Sequence, residues 1–326
     1  MAIAPAPTTT HAVFRHEALL YRGTQEFLTT IGSFVLDGVA AGEPVLVAVD
    51  AVRGRLLRDL LGPHLNGGEA GITYADIDEL ARNPARLIPA WRDFVAGQTP
   101  GVRVRGVGES IWPGRSRAEV LEVQRHEVLL SMAFGDAADI WLLCPYDVEN
   151  LDADVIDEAF RSHPWVIEQE AVRPGGGQGG VPWTRRLDAP LEGPPPLGTL
   201  RHAVSPRGLS ALRREVGGWA RTEGMPEDRA DLFVLAVNEL TTNSVEHGGG
   251  AGELYLWRDG AELVAEARDR GHIREPMVGR VRPGREQGNG RGIWLVNHVC
   301  DLVQLRSSPG GTTARIRMRV DAAPPG

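Results

Sequence analysis

The chain has 326 residues, enough for two domains with separate cores, and a formal net charge of -8 with a pI near 5.6, which argues against direct nucleic-acid binding. It contains no lysine, so every phosphate grip that depends on a P-loop lysine is excluded. The two cysteines, Cys144 and Cys300, lie far apart in apolar stretches and read as buried reduced thiols, and no run approaches the ~20 apolar residues of a membrane span.

Residues 1–10 are rich in Ala, Pro and Thr, with no basic start and no apolar run, and read as a loose tail rather than a signal peptide. A soluble cytoplasmic protein is expected. Residues 11–172 alternate strand-like and helix-like segments. The runs at 44–49 and 140–144 are short and continuously apolar, as strands buried on both faces are, and residues 24–41 and 116–134 carry helical patterns. That alternation predicts an α/β domain built on a mostly parallel sheet. Polar or aromatic groups stand beside expected strand ends in three places: Glu109 and Trp112, Cys144 and Tyr146, and His163. Strand ends are where open α/β sheets bind ligands, so these five are candidate sensory residues. The competing reading makes the aromatics core or rim packing and Cys144 inert.

Composition changes at residues 173–197, which are dense in Gly and Pro without apolar periodicity and predict a linker, flexible at its Gly-rich start. Residues 198–320 then show another order. Two helices, at 205–221 and 226–246, precede two strands, at 253–257 and 262–268, joined by an Asp259-Gly260 turn. A polar loop at 271–290 leads to a short helix at 293–299 and two last strands around 302–305 and 314–318, turned at Gly310-Gly311. Helices on one face of a mixed, mostly antiparallel sheet make this an α+β domain. Residues 321–326 form a tail.

Three polar features interrupt its apolar patterning. Glu239, Asn243 and His247 follow one another at four-residue spacing, so one helix side turns from apolar to carboxylate, amide and imidazole. Burying such groups uncompensated costs several kcal/mol, so the row either meets a polar ligand or faces water. Asp269 closes a strand, where it can accept from an exocyclic amine, and Gly271 lets a flat ring approach the backbone. Gly288, Gly290 and Gly292, with Arg291 among them, open an apolar helix and expose free N–H groups at its positive end, a ready phosphate site.

In this order the three resemble the ATP-binding domain shared by DNA gyrase, heat-shock chaperones, histidine kinases and mismatch-repair ATPases. The resemblance implies a sandwich that binds ATP with Mg²⁺. Asn243 would hold the metal through its amide oxygen, Asp269 would read adenine, and Glu239 would polarise the attacking group. Gly311, Thr312 and Thr313 fit the late Gly-Thr strand behind the adenine, and His247 and Arg291 fall within the nucleotide boxes. Where many members carry a second Gly after Asp-x-Gly, this chain has His272 and Ile273, which puts turnover in doubt more than binding. The wording from Asn238 to His247 and from Gly290 to Leu295 is most similar to the anti-sigma-factor serine/threonine kinases, which hold a sigma factor and phosphorylate a serine of an antagonist protein. A sensor histidine kinase is the main alternative and an ATP-binding switch without phosphate transfer is another. His16, His126 and His202 read as structural histidines, because none stands in a phosphoacceptor setting before the ATP domain.

The N-terminal segments resemble the MEDS sensory domain, a module related to recombinase-type ATPases. His11, Glu109 and Trp112, Cys144 to Asp147, and His163-Pro164 carry the likeness. It implies sensing of a small-molecule signal. The whole reads as a cytoplasmic signal-transduction protein with sigma factor and antagonist as partners, no membrane or nucleic-acid contact, and a tendency to form homodimers.

Overall fold

The computed structural model describes residues 14–65, 71–135, 139–169, 171–176, 189–284 and 290–321. His11, Gly288, the tail at 1–10, residues 322–326 and the linker's 177–188 lie outside them. The chain divides into two compact units, Met1–Leu187 and Asp188–Gly326.

In the first unit, strands β1 (Arg15–Tyr21), β2 (Val45–Val49), β3 (Ile72–Asp76), β4 (Val104–Gly108), β5 (Ile140–Asp147), β6 (Trp165–Glu168) and β7 (Ala171–Pro174) form a seven-stranded sheet in the order β3-β2-β4-β5-β1-β6-β7. Only the β6–β7 junction is antiparallel. Helices α1 (Gly23–Ala40), α2 (Ala51–Leu61), α3 (Ile77–Leu80), α4 (Leu87–Ala96), α5 (Arg117–Phe134) and α6 (Ala153–Ser162) connect the strands, as an α/β domain requires. The caps explain two starts. Asp50 accepts from the amides of Val52 and Arg53 to open α2, and Ser116 and Glu119 form a capping box at α5. On one face of the sheet, Leu19, Tyr21 and Leu143 pack with Phe27, Ile31 and Phe34 of α1. Gly106 and Gly108 make room on β4 for Trp91 of α4, whose ring a Cβ would meet at 2.7 and 2.9 Å.

Two strands differ from expectation. β1, inner strand between β5 and β6, opens with Arg15-His16-Glu17, a charged triplet that carries no strand signal. It is tolerated because Glu17 accepts from Arg15 at 2.6 Å and from the Trp141 indole at 2.7 Å. β5 runs on past Cys144 through Pro145 to Asp147. β4 pairs with it only as far as Leu143, so beyond that point one side has no ladder for a proline to break. Cys144 and Tyr146 therefore sit within the strand. The expected linker also starts later. Arg173 and Pro174 belong to β7, and the amides of Gly175 and Gly176 donate to the carbonyls of Pro164 and Phe160 at 2.8 and 2.7 Å. Gly175 is there for space, since a Cβ would run into the carbonyl oxygen of His163.

The second unit contains β8 (Leu200–Val204), α7 (Leu209–Thr222), α8 (Glu227–Glu246), β9 (Gly252–Asp259), β10 (Glu262–Asp269), α9 (Arg291–Val299), β11 (Leu302–Ser308) and β12 (Gly311–Arg319). The five strands run β11-β12-β10-β9-β8, antiparallel at every junction. The three helices cover one face, where Leu212, Phe233, Leu240, Val296, Ala265 and Ile316 share a core. This is the expected α+β arrangement. α7 begins at Leu209 rather than at Ser205, because Pro206 to Gly208 make a turn closed by the Gly208 amide on the Ser205 carbonyl at 3.0 Å. A buried pair, Arg229 to Asp301 at 2.6 Å, ties the start of α8 to the entry of β11, and Asp301 also accepts from the Arg319 amide at 2.7 Å.

Candidate functional site

The last turns of α8, the ends of β10 and β12 and the first turn of α9 enclose a cavity of about 360 Å³. Its walls are mostly apolar: Leu240, Ala267, Ile273, Val278, Ile293, Leu305 and Ala314. Its polar groups are few and converge from different elements: Asn243 and Ser244 from α8, His247 just past its end, Asp269 from β10, His272 from the turn beyond it, and Thr312 from β12. A cavity of this size and make-up suits a small organic ligand with a flat apolar body and polar edges.

Asp269 is its most strongly positioned polar group. One carboxylate oxygen accepts from the Gly271 amide at 2.8 Å and the other from the Ser244 hydroxyl at 2.7 Å. Each oxygen keeps a further lone pair for an incoming donor. Two glycines clear the space around it. A Cβ at Gly248 would stand 2.5 Å from the Asp269 carboxyl carbon, and one at Gly271 would stand 2.6 Å from the His247 carbonyl oxygen. The turn beyond Asp269 is held by a chain of hydroxyls. Thr312 donates to the Gly271 carbonyl at 2.8 Å, Ser307 lies 2.8 Å from the Thr312 hydroxyl, and the Ile273 amide donates to Ser307 at 2.8 Å.

Across the cavity, Gly290 caps α9 in the left-handed region at φ 93°, and Gly292 follows in its first turn. Glu239 and Asn243 stand against that turn. A Cβ at Gly292 would come 2.6 Å from a Glu239 carboxylate oxygen and 3.5 Å from the Asn243 amide nitrogen.

Residues 203–318 match the family model described as histidine kinase-like ATPase domain, and residues 15–164 match the one described as MEDS, the methanogen/methylotroph DcmR sensory domain. The chain joins a MEDS domain to a histidine kinase-like ATPase domain. No curated protein matches it. Among solved structures, it is similar to the RsbU and RsbW domains of a Mycobacterium tuberculosis protein at 16% identity and TM-score 0.30, covering 64% of this chain and 49% of that one. It is also similar to the Acinetobacter baumannii histidine kinase AdeS at 7% identity and TM-score 0.23, covering 38% of this chain and 68% of that one. The chain thus spans about half the length of the first of these, 49%.

Within the ATPase domain, Asn243, His247, Asp269, Gly271, Gly290, Gly292 and Thr312 line the cavity. Glu239, Arg291 and Thr313 do not. Glu239 lies one turn before Asn243 and reaches the α9 terminus instead. Arg291 is exposed, with Gly284 as its backbone partner at 3.4 Å. Thr313 falls between Thr312 and Ala314 on β12, so strand alternation turns it to the other face. Ser244, which fixes Asp269, escaped the sequence reading. Its signal was present, since it is four residues after Leu240 on the helix and next to Asn243.

The MEDS domain's candidate residues separate into two polar groups. At the carboxyl ends of β1 and β4, the Tyr21 hydroxyl donates to Glu109 at 2.6 Å, and Arg53 donates to Glu109 at 2.9 Å and to Tyr21 at 2.8 Å. Burial pushes the Glu109 carboxyl up to about 7 against the pull of Arg53 and the Tyr21 hydroxyl. Burial and the Glu109 charge push the Tyr21 hydroxyl up as well. Trp112 lies nearby in the chain and stacks under the Arg115 guanidinium at 3.5 Å.

The second group is fully enclosed and brings Cys144 and His163 together with His16 and Glu127. Glu127 lies 2.9 Å from the His16 ring and accepts from Ser110 at 2.8 Å, and Cys144 lies 3.3 Å from the same His16 nitrogen. The Tyr146 ring meets the His163 ring edge-on at 5.7 Å. Burial pushes the His163 imidazole down to about 3, with His16 adding to the effect, so the ring is neutral at pH 7. Burial also pushes the Cys144 thiol well up, with Glu127 adding to it. His16 is a core residue in contact with Glu127 and Cys144.

Proposed function

We propose that the ATPase domain binds ATP with Mg²⁺ in the cavity between α8, β10 and α9, and that the chain is a signal-transduction regulator. The observation that carries this is the Asp269 carboxylate, fixed by Ser244 and Gly271 at the head of an apolar slot with two glycines clearing its approach. An exocyclic amine is the donor such a carboxylate suits, and a purine ring suits the apolar walls. The opening turn of α9, with Gly290 and Gly292 and without a side-chain cap among the described residues, is a helix N-terminus of the kind that suits phosphates. Asn243 is the residue placed to hold Mg²⁺, whose role when bound is to neutralise phosphate charge. Calorimetry of the full chain with ATP, with and without Mg²⁺, tests the reading. Metal-dependent binding that Asn243→Ala weakens is expected, and no heat with ATP would overturn it.

The finer reading is a serine/threonine kinase of the anti-sigma type, binding a sigma factor and phosphorylating an antagonist, under control of the MEDS domain. Its support is the Glu239–Asn243 pair facing the α9 terminus, with Glu239 serving as the base for the antagonist serine. Incubation with ATP and candidate antagonists should give acid-stable phosphoserine. A histidine kinase has weaker support, because His16 and His126 are 1% and 2% exposed and His202 stands in β8 beside Glu215 at 3.2 Å. A switch that binds ATP without transfer is favoured by one observation, the absence of Glu239 from the cavity lining.

A further inference from the structure

Four side chains that are remote in sequence converge inside the MEDS domain: His16 from β1, Glu127 from α5, Cys144 from β5 and His163 from the end of α6. One ligand atom from each lies within 4.8 Å of all the others, and all four residues are buried. Among the described residues, no other group of three or more His, Cys, Asp or Glu side chains has this property.

The hydrogen bonding leaves this cluster unfinished. The Nδ1 of His163 faces the Ala159 carbonyl at 2.9 Å, and a carbonyl can only accept, so that nitrogen carries the proton. Nε2 is then a bare lone pair. It is buried, has no hydrogen-bond partner, and points at a Glu127 carboxylate oxygen 3.6 Å away. A lone pair facing an anionic oxygen in a buried core is repulsive, and a cation between them removes the conflict.

The donors match one class of cation. The His16 and Glu127 atoms are 2.9 Å apart, Cys144 is 3.3 Å from His16 and 3.6 Å from Glu127, and His163 is 3.6 Å from Glu127. Zinc bonds of about 2.0–2.3 Å place tetrahedral donors about 3.3–3.7 Å apart, so shifts below about 1 Å close the shell. Two imidazoles, one thiolate and one carboxylate form the mixed soft and borderline set that first-row transition metals take. One thiolate and one carboxylate also neutralise a divalent ion, so the loaded site buries no net charge. Outer supports hold two of the four ligands: the Ala159 carbonyl orients His163 and Ser110 holds the second Glu127 oxygen, while the Phe14 and Tyr146 rings wall the imidazoles.

We propose that His16, Glu127, Cys144 and His163 form a buried four-ligand site for a divalent transition-metal ion, with Zn²⁺ as the ion that fits the geometry. Binding releases the Cys144 proton to solvent as its sulfur becomes a thiolate. His16 presents Nε2 by carrying its proton on Nδ1. With four protein donors the site is of the closed kind, without a position for substrate. It stands apart from the nucleotide reading of the ATPase domain.

The test uses the full chain, free of any affinity tag and purified without chelators. Elemental analysis should find about one equivalent of metal per chain. After stripping, Co²⁺ should bind the folded protein with a thiolate-to-cobalt charge-transfer band, and Zn²⁺ should displace it. Cys144→Ser should abolish that band, while Cys300→Ser should leave it unchanged. His163→Gln should keep the band and weaken Co²⁺ binding by more than the roughly 10–100-fold that loss of an outer-shell partner costs. A folded wild type that gives no band and takes up no Zn²⁺ saturably overturns the proposal, and so does a band that survives Cys144→Ser. Should a variant fail to fold, the wild-type titration decides alone.

Discussion

The candidate site residues of the two domains are handled in opposite ways. In the ATPase domain, Asn243, His247 and Asp269 stand half-buried or exposed around an apolar cavity, where a ligand can reach them. In the MEDS domain, Glu109 and Glu127 are closed off from water and held by other side chains, and His163 is buried against a backbone carbonyl. Polar groups left at an open cavity are free to exchange partners, as a nucleotide site needs. Polar groups sealed in a core cost desolvation unless paired, so they respond to protons or retained ions.

The sharpest way to break this contrast is Glu239→Ala. If the α8 row serves chemistry rather than folding, phosphate transfer to an antagonist falls by roughly 10²–10⁴-fold, the range for a positioned base, while ATP affinity and thermal stability hold. Equal losses of affinity and stability in a transfer assay and a melting curve would instead make Glu239 a structural partner of α9.

Next is Glu109→Gln, which tests the sealed side. The folded carboxyl is pushed from 4.5 up to about 7, so between those values the unfolded chain gives up a proton that the folded chain keeps. Stability of the wild type therefore falls as pH rises through that window, by about 3 kcal/mol, and the Gln variant lacks this slope. Calorimetric unfolding at several pH values reads the difference. A flat difference would mean that Arg53 and Tyr21 outweigh burial and hold Glu109 ionised.

Asp269→Asn has a smaller effect, weakening ATP by about 1–3 kcal/mol through a mispaired hydrogen bond, with MEDS-domain unfolding unchanged. Titration calorimetry measures it, and undiminished affinity would place adenine elsewhere. The smallest effect is that of Ser307→Ala, which cuts the hydroxyl chain behind Gly271 and costs about 0.5–1.5 kcal/mol of ATPase-domain stability. A melt of the variant checks it; no shift would mean that the turn is held by the Thr312–Gly271 bond alone.

Much of the ATPase domain was legible because its site is written in local runs. Asn243 with His247, Asp269 with Gly271, and Gly290 with Gly292 each sit within a few residues of one another, where helix period and turn chemistry leave a pattern. Glu239 and Arg291 belong to the same runs, but their final directions depend on which neighbour each meets, and only packing decides that. The MEDS domain was legible as alternating apolar runs and little further. β1 was hidden because Arg15-His16-Glu17 shows the charges while their partners lie more than a hundred residues away at Glu127 and Trp141. Cys144 and His163 were singled out, yet nothing within the chain's local spacing pointed from them to His16 or Glu127.

The antiparallel last strand of the MEDS sheet bears on where this domain can be cut free. Composition places the end of the domain at 172, but a cleavage there removes Arg173, Pro174 and the two glycine amides bound to Pro164 and Phe160. The Trp165–Val166 half of β6 would then lose its partners and present unpaired backbone groups, the template on which chains add to one another edge to edge. In the intact chain the outermost strand is only Ala171–Pro174, four residues that end on an arginine and a proline, two features that discourage such pairing. A fragment ending at Gly176 should stay dispersed in solution where one ending at 172 aggregates, so the short seventh strand acts as the domain's own stopper against self-association.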